Sequence, residues 1–144
     1  MAKYRDIVNV SPELARRIAA IPGSGLVHLF VVGSTAALTT LDEDGFPHTV
    51  AIGYFRLGEV LYCGCRAGTR KCRNLQGNPK VTLMLENGRG GETLKGVMFQ
   101  GLGRVIEDSA ELLEIKGRLA DLRGEDRPAS VAPGIAYLEI RPQR

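Results

Sequence analysis

Two tight turns, separated by strand-forming sequence, limit the folds open to this chain more than any other feature. The first turn, at 42–45, follows a β-branched run over 35–41 and contains Gly45, which can adopt the positive φ that a tight hairpin needs. The second turn, at 56–59, follows a partner strand over 47–55 and leads into another apolar run. Two consecutive hairpins form an antiparallel meander, and a meander with few helices predicts a mainly β barrel or sandwich.

The rest of the chain adds strands and helices to this meander. Apolar runs predict further strands over 81–85, 94–107 and 134–141, the last with the period of two that a half-exposed strand shows. Helices are predicted between Ser11 and Pro22 and over 110–122. The second of these helices should present an apolar face to the core, formed by Leu112, Ile115, Leu119 and Leu122. With no repeat or linker, residues 1–144 are expected to form a single domain.

Composition and charge argue against several classes of protein. Hydrophobic residues make up 44% and charged residues 24% of the chain, which is an ordinary globular balance. No apolar run reaches the length of a membrane span, and the first residues do not follow a signal-peptide pattern, so a cytoplasmic protein without a membrane partner is expected. The net charge of +3 is too small to indicate a nucleic-acid partner by itself.

Positive charge is concentrated in the segment over 65–80, which contains five cations and no acid. Thr69 is typical of a helix start, and residues 77–79 are typical of a helix end. The start of a helix leaves backbone N–H groups free. These groups, the Thr69 hydroxyl and the charges of Arg70 and Lys71 would converge on one point, as a phosphate dianion requires.

Two other interpretations of this basic segment remain open at the level of sequence. Composition alone favours a solvated basic turn, because surface cations are common and phosphate sites are rare. A nucleic-acid backbone could also follow the cations, but no aromatic side chain is interleaved among them and the chain contains no Trp. We therefore expect no nucleic-acid partner.

Three cysteines lie within ten residues: Cys63, Cys65 and Cys72. Their odd number and the absence of a signal sequence argue against a disulfide framework. A metal site would need a fourth ligand such as His48, and the usual Cys-x-x-Cys spacing is absent. Small buried side chains explain these cysteines better, with Cys63 and Cys65 on one face of a strand, so no metal is expected.

The order of these motifs resembles a known protein family. The matching features are Leu38-Thr39-Thr40-Leu41, Asp44-Gly45-Phe46-Pro47-His48, Tyr62, Thr69-Arg70-Lys71, Asn74-Leu75, Asn78-Pro79-Lys80-Val81 and Gln100-Gly101-Leu102-Gly103-Arg104-Val105. In this order and spacing, over about residues 30 to 108, they are similar to the split-barrel flavoproteins related to pyridoxamine 5'-phosphate oxidase.

This resemblance implies a fold, a cofactor and an assembly. Similar proteins fold as a six-stranded antiparallel split barrel with flanking helices, pair as homodimers, and bind FMN in two clefts between the subunits. The resemblance assigns Thr69, Arg70 and Lys71 to the phosphate, Gly64 and Cys65 to the ribityl chain, and the backbone of Val50, Ala51 and Ile52 to the isoalloxazine edge. Residue types by themselves indicate only the phosphate-binding group.

The sequence also departs from the oxidase pattern. Val50 stands where the oxidases have Arg, Phe55 where they have Lys, and Gly96 where they have Gln. Oxidation of pyridoxamine phosphate is therefore predicted to be absent or weak. Some relatives use a deazaflavin in place of FMN, and an Arg next to a Lys at a helix start would bind either phosphate ester.

Together these observations predict a flavin-dependent oxidoreductase that transfers a hydride to or from a small organic substrate. In such enzymes the cofactor carries the chemistry, which fits a sequence without a Ser-His-Asp set. Any proton donor would come from Tyr54, Tyr62 or His48, and no catalytic residue is assigned. A deazaflavin-dependent reductase and a flavin or haem carrier without catalysis are the alternatives.

Overall fold

A computed structural model of the chain describes Glu13, Arg16 and residues 35–86 and 96–144. Its strands and helices, in chain order, are β1 Thr35–Leu41, β2 Pro47–Gly53, β3 Phe55–Leu57, β4 Val60–Arg66, α1 Arg70–Gly77, β5 Lys80–Glu86, β6 Gly96–Ile106, α2 Ser109–Arg123 and β7 Ile135–Pro142. The helix predicted between Ser11 and Pro22 lies outside the described residues except for Glu13 and Arg16. Both of these are helical, and their side chains form an ion pair at 3.3 Å.

All seven strands belong to one antiparallel sheet in the order β2-β1-β5-β6-β7-β4-β3. β2 and β3 lie at opposite edges of this sheet, yet only Tyr54 separates them in the chain. The sheet must therefore curl until its two edges meet at Tyr54, and β2 also contacts β4.

The strand predicted over 47–55 is in fact two strands. Its first part pairs with β1, with Leu38 opposite Val50, and its continuation pairs with β4, with Phe55 opposite Tyr62. Counting β2 and β3 as one bent strand gives the six strands that were predicted. The bend lies at Tyr54 because the chain changes pairing partner there.

The inside of the curled sheet holds the larger of two apolar clusters. Alternate residues of the strands fill it, including Leu38, Leu61, Leu83 and Leu138, none of which is exposed. α1 contributes Cys72 and Leu75 to the same cluster, so this helix closes one end of the barrel. Leu75 approaches so near to β6 that a Cβ added at Gly103 would lie 2.8 Å from its side chain.

The second cluster lies outside the barrel, under α2. It joins Leu112 and Ile115 of α2 to Tyr62, Ile106 and Tyr137 of the sheet. Asp108 caps the helix by accepting a hydrogen bond from the Glu111 N–H at 2.9 Å.

Two predictions about exposure are wrong. Leu122 was expected to face inward, but its side chain is exposed because it lies near the helix end, beyond the two inward residues that reach the sheet. The last strand was expected to alternate, but residues 136–140 of β7 are all buried, because the barrel core covers one face of this strand and the cluster under α2 covers part of the other.

Candidate functional site

α1 begins where two other features of the fold meet it, the end of β4 and the turn between β1 and β2. Thr69 is the residue before the helix, and its hydroxyl donates to the Arg66 carbonyl at 3.1 Å rather than capping the helix. The hydroxyl proton is thus already engaged, which differs from the predicted role of a free donor. The backbone N–H groups of the first helical turn are left without a side-chain cap from Thr69, so they can receive an anion.

Arg70 is held by the turn between β1 and β2. Its guanidinium makes a bidentate ion pair with the Asp42 carboxylate, with Nε donating to Oδ1 at 2.9 Å. Asn74 donates to the same Oδ1 at 2.9 Å and to the Thr40 hydroxyl at 3.0 Å. Hydrogen bonds from Arg70 and Asn74 hold the pKa of Asp42 below its usual value. In turn, the hydrogen bond to Asp42 raises the pKa of Arg70. Arg70 therefore fixes α1 to the hairpin and has only part of its guanidinium left for a ligand.

Lys71 differs from Arg70 in having no ion-pair partner among the described residues. Its side chain is half-buried, and within residues 35–86 and 96–144 no carboxylate lies within ion-pair distance of its ammonium group. Its charge opposes the rise in thiol pKa that burial causes at Cys63 and Cys65, which places the ammonium near the end of β4. An anion at the start of α1 would meet this charge directly.

A split lies in the barrel wall between β2 and β4. On one side of Tyr54, β3 pairs with β4 as far as the Phe55–Tyr62 pair; on the other side, β2 pairs with β1 and not with β4. Within the described residues, the outer edge of β2 and the same edge of β4 beyond Tyr62 therefore have no strand partner. Backbone N–H and C=O groups on these edges are available to a ligand.

The split brings the predicted ring and ribityl residues to facing edges. Val50 and Ile52 point their side chains into the barrel core, and Ala51 is exposed, so what β2 presents along its edge is backbone. Across the split, Gly64 is exposed and Cys65 is half-buried. The closed end of the split is at Tyr54, and the open end reaches the start of α1. Thr69 and Lys71 lie near Cys65, since the charge of Lys71 and a hydrogen bond from Thr69 both act to lower the pKa of its thiol, and Arg70 lies against the hairpin that carries β2.

The three candidate proton donors lie in different surroundings. Tyr62 points away from the split and donates to Glu139 at 3.3 Å under α2. Tyr54 is buried, and burial raises its pKa to about 12. His48 lies close enough to Asp42 for its charge to lower the pKa of that carboxyl. Of the three, the structure brings His48 nearest to the phosphate-binding candidates.

Sequence reasoning missed two residues of this site, Asp42 and Asn74. Asp42 was assigned only to a turn, although it is the anion that orients Arg70. Asn74 follows Arg70 by four residues, a spacing that places both side chains on one face of a helix, and this was the signal that could have revealed their shared partner. A contact between a hairpin turn and a distant helix has no local signature.

The metal alternative finds no ligand set in the described part of the chain. Over residues 35–86 and 96–144, no group of three or more His, Cys, Asp and Glu side chains is arranged to hold a metal ion.

Among the described residues, no helix has the length and apolar character needed to cross a membrane.

A separate cleft of about 470 Å³ lies on the outer face of β1, β5 and β6. Its lining includes Thr39, Lys80, Gln100, Leu102 and Arg144, and none of the residues assigned to the cofactor takes part. This cleft lies on the outer face of the sheet, because Thr39 points outward where Leu38 and Thr40 point into the core. The geometry at α1, rather than the size of this cleft, identifies the candidate site.

Comparison with known proteins gives a family match and a fold. The sequence profile of the family described as pyridoxamine 5'-phosphate oxidase matches residues 33–144. No curated protein matches the chain.

Several solved structures share the fold. An F420 reductase is 23% identical, with a TM-score of 0.61 over 85% of this chain and 96% of that one. General Stress Protein 26 from Bacillus anthracis is 24% identical, with a TM-score of 0.60 over 81% and 85%. HutZ, the haem storage protein from Vibrio cholerae, is 19% identical, with a TM-score of 0.62 over 77% and 82%. These likenesses confirm the predicted split-barrel fold class, and at such identities they show the fold alone.

Proposed function

Because the chain belongs to the pyridoxamine 5'-phosphate oxidase family, we propose that it is an FMN-dependent oxidoreductase acting on a small organic molecule. Bound FMN would supply the chemistry, a hydride transfer at its ring system. The chain's own residues would bind the phosphate, orient the ring and exclude water.

The observation that carries this proposal is the arrangement at the start of α1. The first-turn N–H groups lack a Thr69 cap, Lys71 has no acidic partner in the described residues, and Arg70 is held beside them by Asp42. These groups form an anion site at one end of the split, and its donors suit the phosphate ester of a flavin. Lys71 would provide the main charge. Arg70 would contribute its remaining N–H groups and fix the position of the helix.

The split would hold the rest of the cofactor. Its two backbone edges run from the start of α1 towards Tyr54, with Cys65 and Gly64 on β4 and Val50 to Ile52 on β2. A flat ring lying along the edge of β2 could exchange hydrogen bonds with backbone groups that have no strand partner. Such contacts need no particular side chain, which explains why the sequence around Val50 shows no polar motif.

The substrate we propose is not pyridoxamine phosphate. At positions where the resemblance leads us to expect Arg and Lys, the chain has Val50 and Phe55. Val50 packs against the barrel core and Phe55 stacks on Tyr62 with ring centroids 5.3 Å apart. Neither side chain can bind a substrate phosphate. We propose a less charged organic substrate.

Solved structures of the same fold support two alternative cofactors, a deazaflavin and haem. The fold is shared with an F420 reductase, and the phosphate-binding donors at α1 would suit the phosphate ester of a deazaflavin as well as that of FMN. It is also shared with a haem storage protein, so a haem carrier is the non-catalytic alternative. Among the described residues His48 is the only histidine, and it lies at the β1–β2 hairpin near Asp42, so haem ligation has the weaker support.

We further propose that the protein is a homodimer with the cofactor sites between its subunits, and that the outer face of β1, β5 and β6 forms part of the interface. This face exposes Met84, Met98 and Leu102, with 42%, 55% and 47% of their surfaces accessible. Met84 and Met98 are directly opposite each other in the sheet, so the exposed apolar area is continuous. A second copy would bury this area.

The expectations of a cytoplasmic location and of no nucleic-acid partner remain predictions.

The visible spectrum of the purified protein, with mass analysis of any small molecule released by heat, tests the cofactor. Two absorption bands and the mass of FMN are the expected result. A single band with strong fluorescence would instead identify a deazaflavin, and an intense haem band would identify a haem carrier. A protein that stays colourless after mixing with FMN would contradict the proposal.

A further inference from the structure

Two cysteine thiols lie side by side where β4 meets α1. The sulfur atoms of Cys65, near the end of β4, and Cys72, in the first part of α1, are 3.6 Å apart. The Thr69 hydroxyl lies 3.3 Å from the Cys72 sulfur, and Cys72 itself donates weakly to the Arg66 carbonyl at 3.6 Å. The two sulfurs therefore face one another within a hydrogen-bonded turn. Their distance exceeds the length of an S–S bond, about 2.05 Å, by less than two ångströms.

The turn that carries these thiols is held in place on both sides. The Ala67 N–H donates to the Gly134 carbonyl at 2.9 Å, and the Arg73 N–H donates to the Thr69 carbonyl at 3.1 Å. The Arg73 guanidinium also donates to the Gly68 carbonyl at 2.6 Å. With the backbone fixed at these points, the sulfurs can come together by rotation of side chains and a small shift of the first turn of α1.

Access differs between the three thiols. Cys63 and Cys72 are completely buried, whereas Cys65 is half-buried at the split. A small oxidant can reach Cys65 from the split, and the neighbour that then lies within reach is Cys72. Cys63 shares the inner face of β4 with Cys65 but is packed inside the barrel core.

We propose that Cys65 and Cys72 form a reversible disulfide when the protein meets a peroxide. Cys65 loses its thiol proton, and the thiolate attacks hydrogen peroxide and breaks the O–O bond, which yields a sulfenic acid at Cys65 and a hydroxide that takes up the released proton to become one molecule of water. The Cys72 sulfur then displaces the hydroxyl group of that sulfenic acid, which forms the S–S bond and releases a second water. The two thiols lose two electrons and two protons in total, and peroxide is the oxidant that accepts them.

The bond would close a ring over residues 65–72. This ring contains Thr69, Arg70 and Lys71, so oxidation would tie the proposed phosphate-binding turn to β4. The formation of the bond does not depend on the proposed function, whereas its effect on cofactor binding does.

The rate of bond formation should depend on pH. Burial first, and then the hydrogen bond with Cys72, raise the pKa of Cys65 to about 11, against the opposing effects of Lys71 and the Thr69 hydroxyl. Cys63, whose pKa burial raises to about 12, faces Cys65 from the same strand and stays protonated over this range. Because thiolate is the reacting form, the rate should rise about tenfold per pH unit between pH 7 and pH 9. A rate that is constant over this range would contradict the assignment of Cys65 as the attacking thiol.

Counting free thiols tests the proposal without any cofactor. After exposure to hydrogen peroxide, unfolding and alkylation, wild-type protein should carry one alkyl group in place of three and should have lost about 2 Da, and dithiothreitol should restore all three thiols. Trypsin cleaves after Arg66 and Arg70 and so separates the two cysteines, which means that a linked pair of peptides identifies the bond.

Cys63→Ser is the matched control, because Cys63 and Cys65 share one tryptic peptide. This variant should still form the linked pair and retain no free thiol, whereas Cys72→Ser should form no intramolecular bond. Three alkylated thiols in oxidised wild-type protein would overturn the proposal. Loss of the linked pair in Cys63→Ser would overturn it equally, as would over-oxidation of Cys65 without a bond.

Discussion

Glu139 shows how a single charged residue can be buried in this fold. It lies on β7 with 5% of its surface exposed, and its carboxylate accepts hydrogen bonds from Arg104 at 3.0 Å, Arg141 at 3.0 Å and Tyr62 at 3.3 Å. Arg104 also pairs with Glu111 of α2. The carboxylate therefore links three strands and, through Arg104, the helix that covers them. A buried charge of this kind is tolerated because its oxygens are fully occupied by donors.

Replacing this carboxylate by an amide, in Glu139→Gln, should destabilise the protein at pH 7 by about 1.5–3 kcal/mol, the range for hydrogen bonds to charged groups. Burial acts to raise the pKa of Glu139, but the hydrogen bonds and charges of Arg104 and Arg141 prevail and hold it below its usual value. This stabilising contribution is therefore present above about pH 4.5 and is lost as the pH falls through the lower pKa of the folded state.

Urea unfolding of both proteins at a series of pH values measures this effect. The difference in unfolding free energy between wild type and Glu139→Gln should shrink as the pH falls from 5 towards 3. Glu114→Gln is the control, because Glu114 is exposed on α2 and pairs with Arg127 at 3.5 Å, so its replacement should change the stability by less than about 0.5 kcal/mol. If the difference in unfolding free energy between wild type and Glu139→Gln is constant with pH, the charge of Glu139 is not the source of the stabilisation.

At the scale of elements, local sequence predicted those that begin and end with turn residues. β1 was predicted over 35–41 and α1 from residue 70, because Gly45, Thr69 and Asn78-Pro79 mark their limits within a few residues. The change of partner at Tyr54 carried no such mark. Residues on both sides of it have strand-forming composition, and only the curl of the whole sheet decides which neighbour each part receives.

In the candidate site too, some features follow from local sequence and others depend on residues that are distant in the chain. The anion binding that we propose at α1 rests on Thr69, Arg70 and Lys71, which are neighbouring residues at a helix start and so can be found from local sequence. The unequal use of the two cations cannot, because the partner of Arg70 is Asp42, which is 28 residues away in the chain. The ring and ribityl residues depended on the resemblance, because backbone contacts leave no trace in side-chain chemistry.

Among the residues that the structure describes, the sheet has two different surfaces, one covered by α2 and one over which none of these residues forms a helix. α2 shields Tyr62 and Tyr137, whereas Met84, Met98 and Leu102 on the outer face of β5 and β6 are left exposed. Under the proposed dimer, the wild-type protein should have twice the mass of one chain in solution. Met98→Lys should shift it towards the monomer, because burying an unpaired ammonium group in an apolar interface is costly.

Light scattering coupled to size-exclusion chromatography checks this expectation. The matched control is Leu122→Lys on α2, where 52% of the residue is exposed on a surface that the proposed interface does not include, and this variant should remain a dimer. A monomeric wild-type protein, or a Met98→Lys variant that stays dimeric at micromolar concentration, would contradict the proposed interface.

The central claim is that the Arg70-Lys71 turn binds the phosphate of a flavin, and the affinities for FMN and for riboflavin, which lacks the phosphate, test it most directly. Charge-assisted hydrogen bonds contribute about 1.5–3 kcal/mol each, so wild-type protein should bind FMN at least about 100-fold more tightly than riboflavin. In the Arg70→Ala/Lys71→Ala double variant this preference should fall below about fivefold, through weaker FMN binding alone, with the circular dichroism spectrum unchanged. A folded double variant that still prefers FMN by the wild-type ratio would contradict the claim.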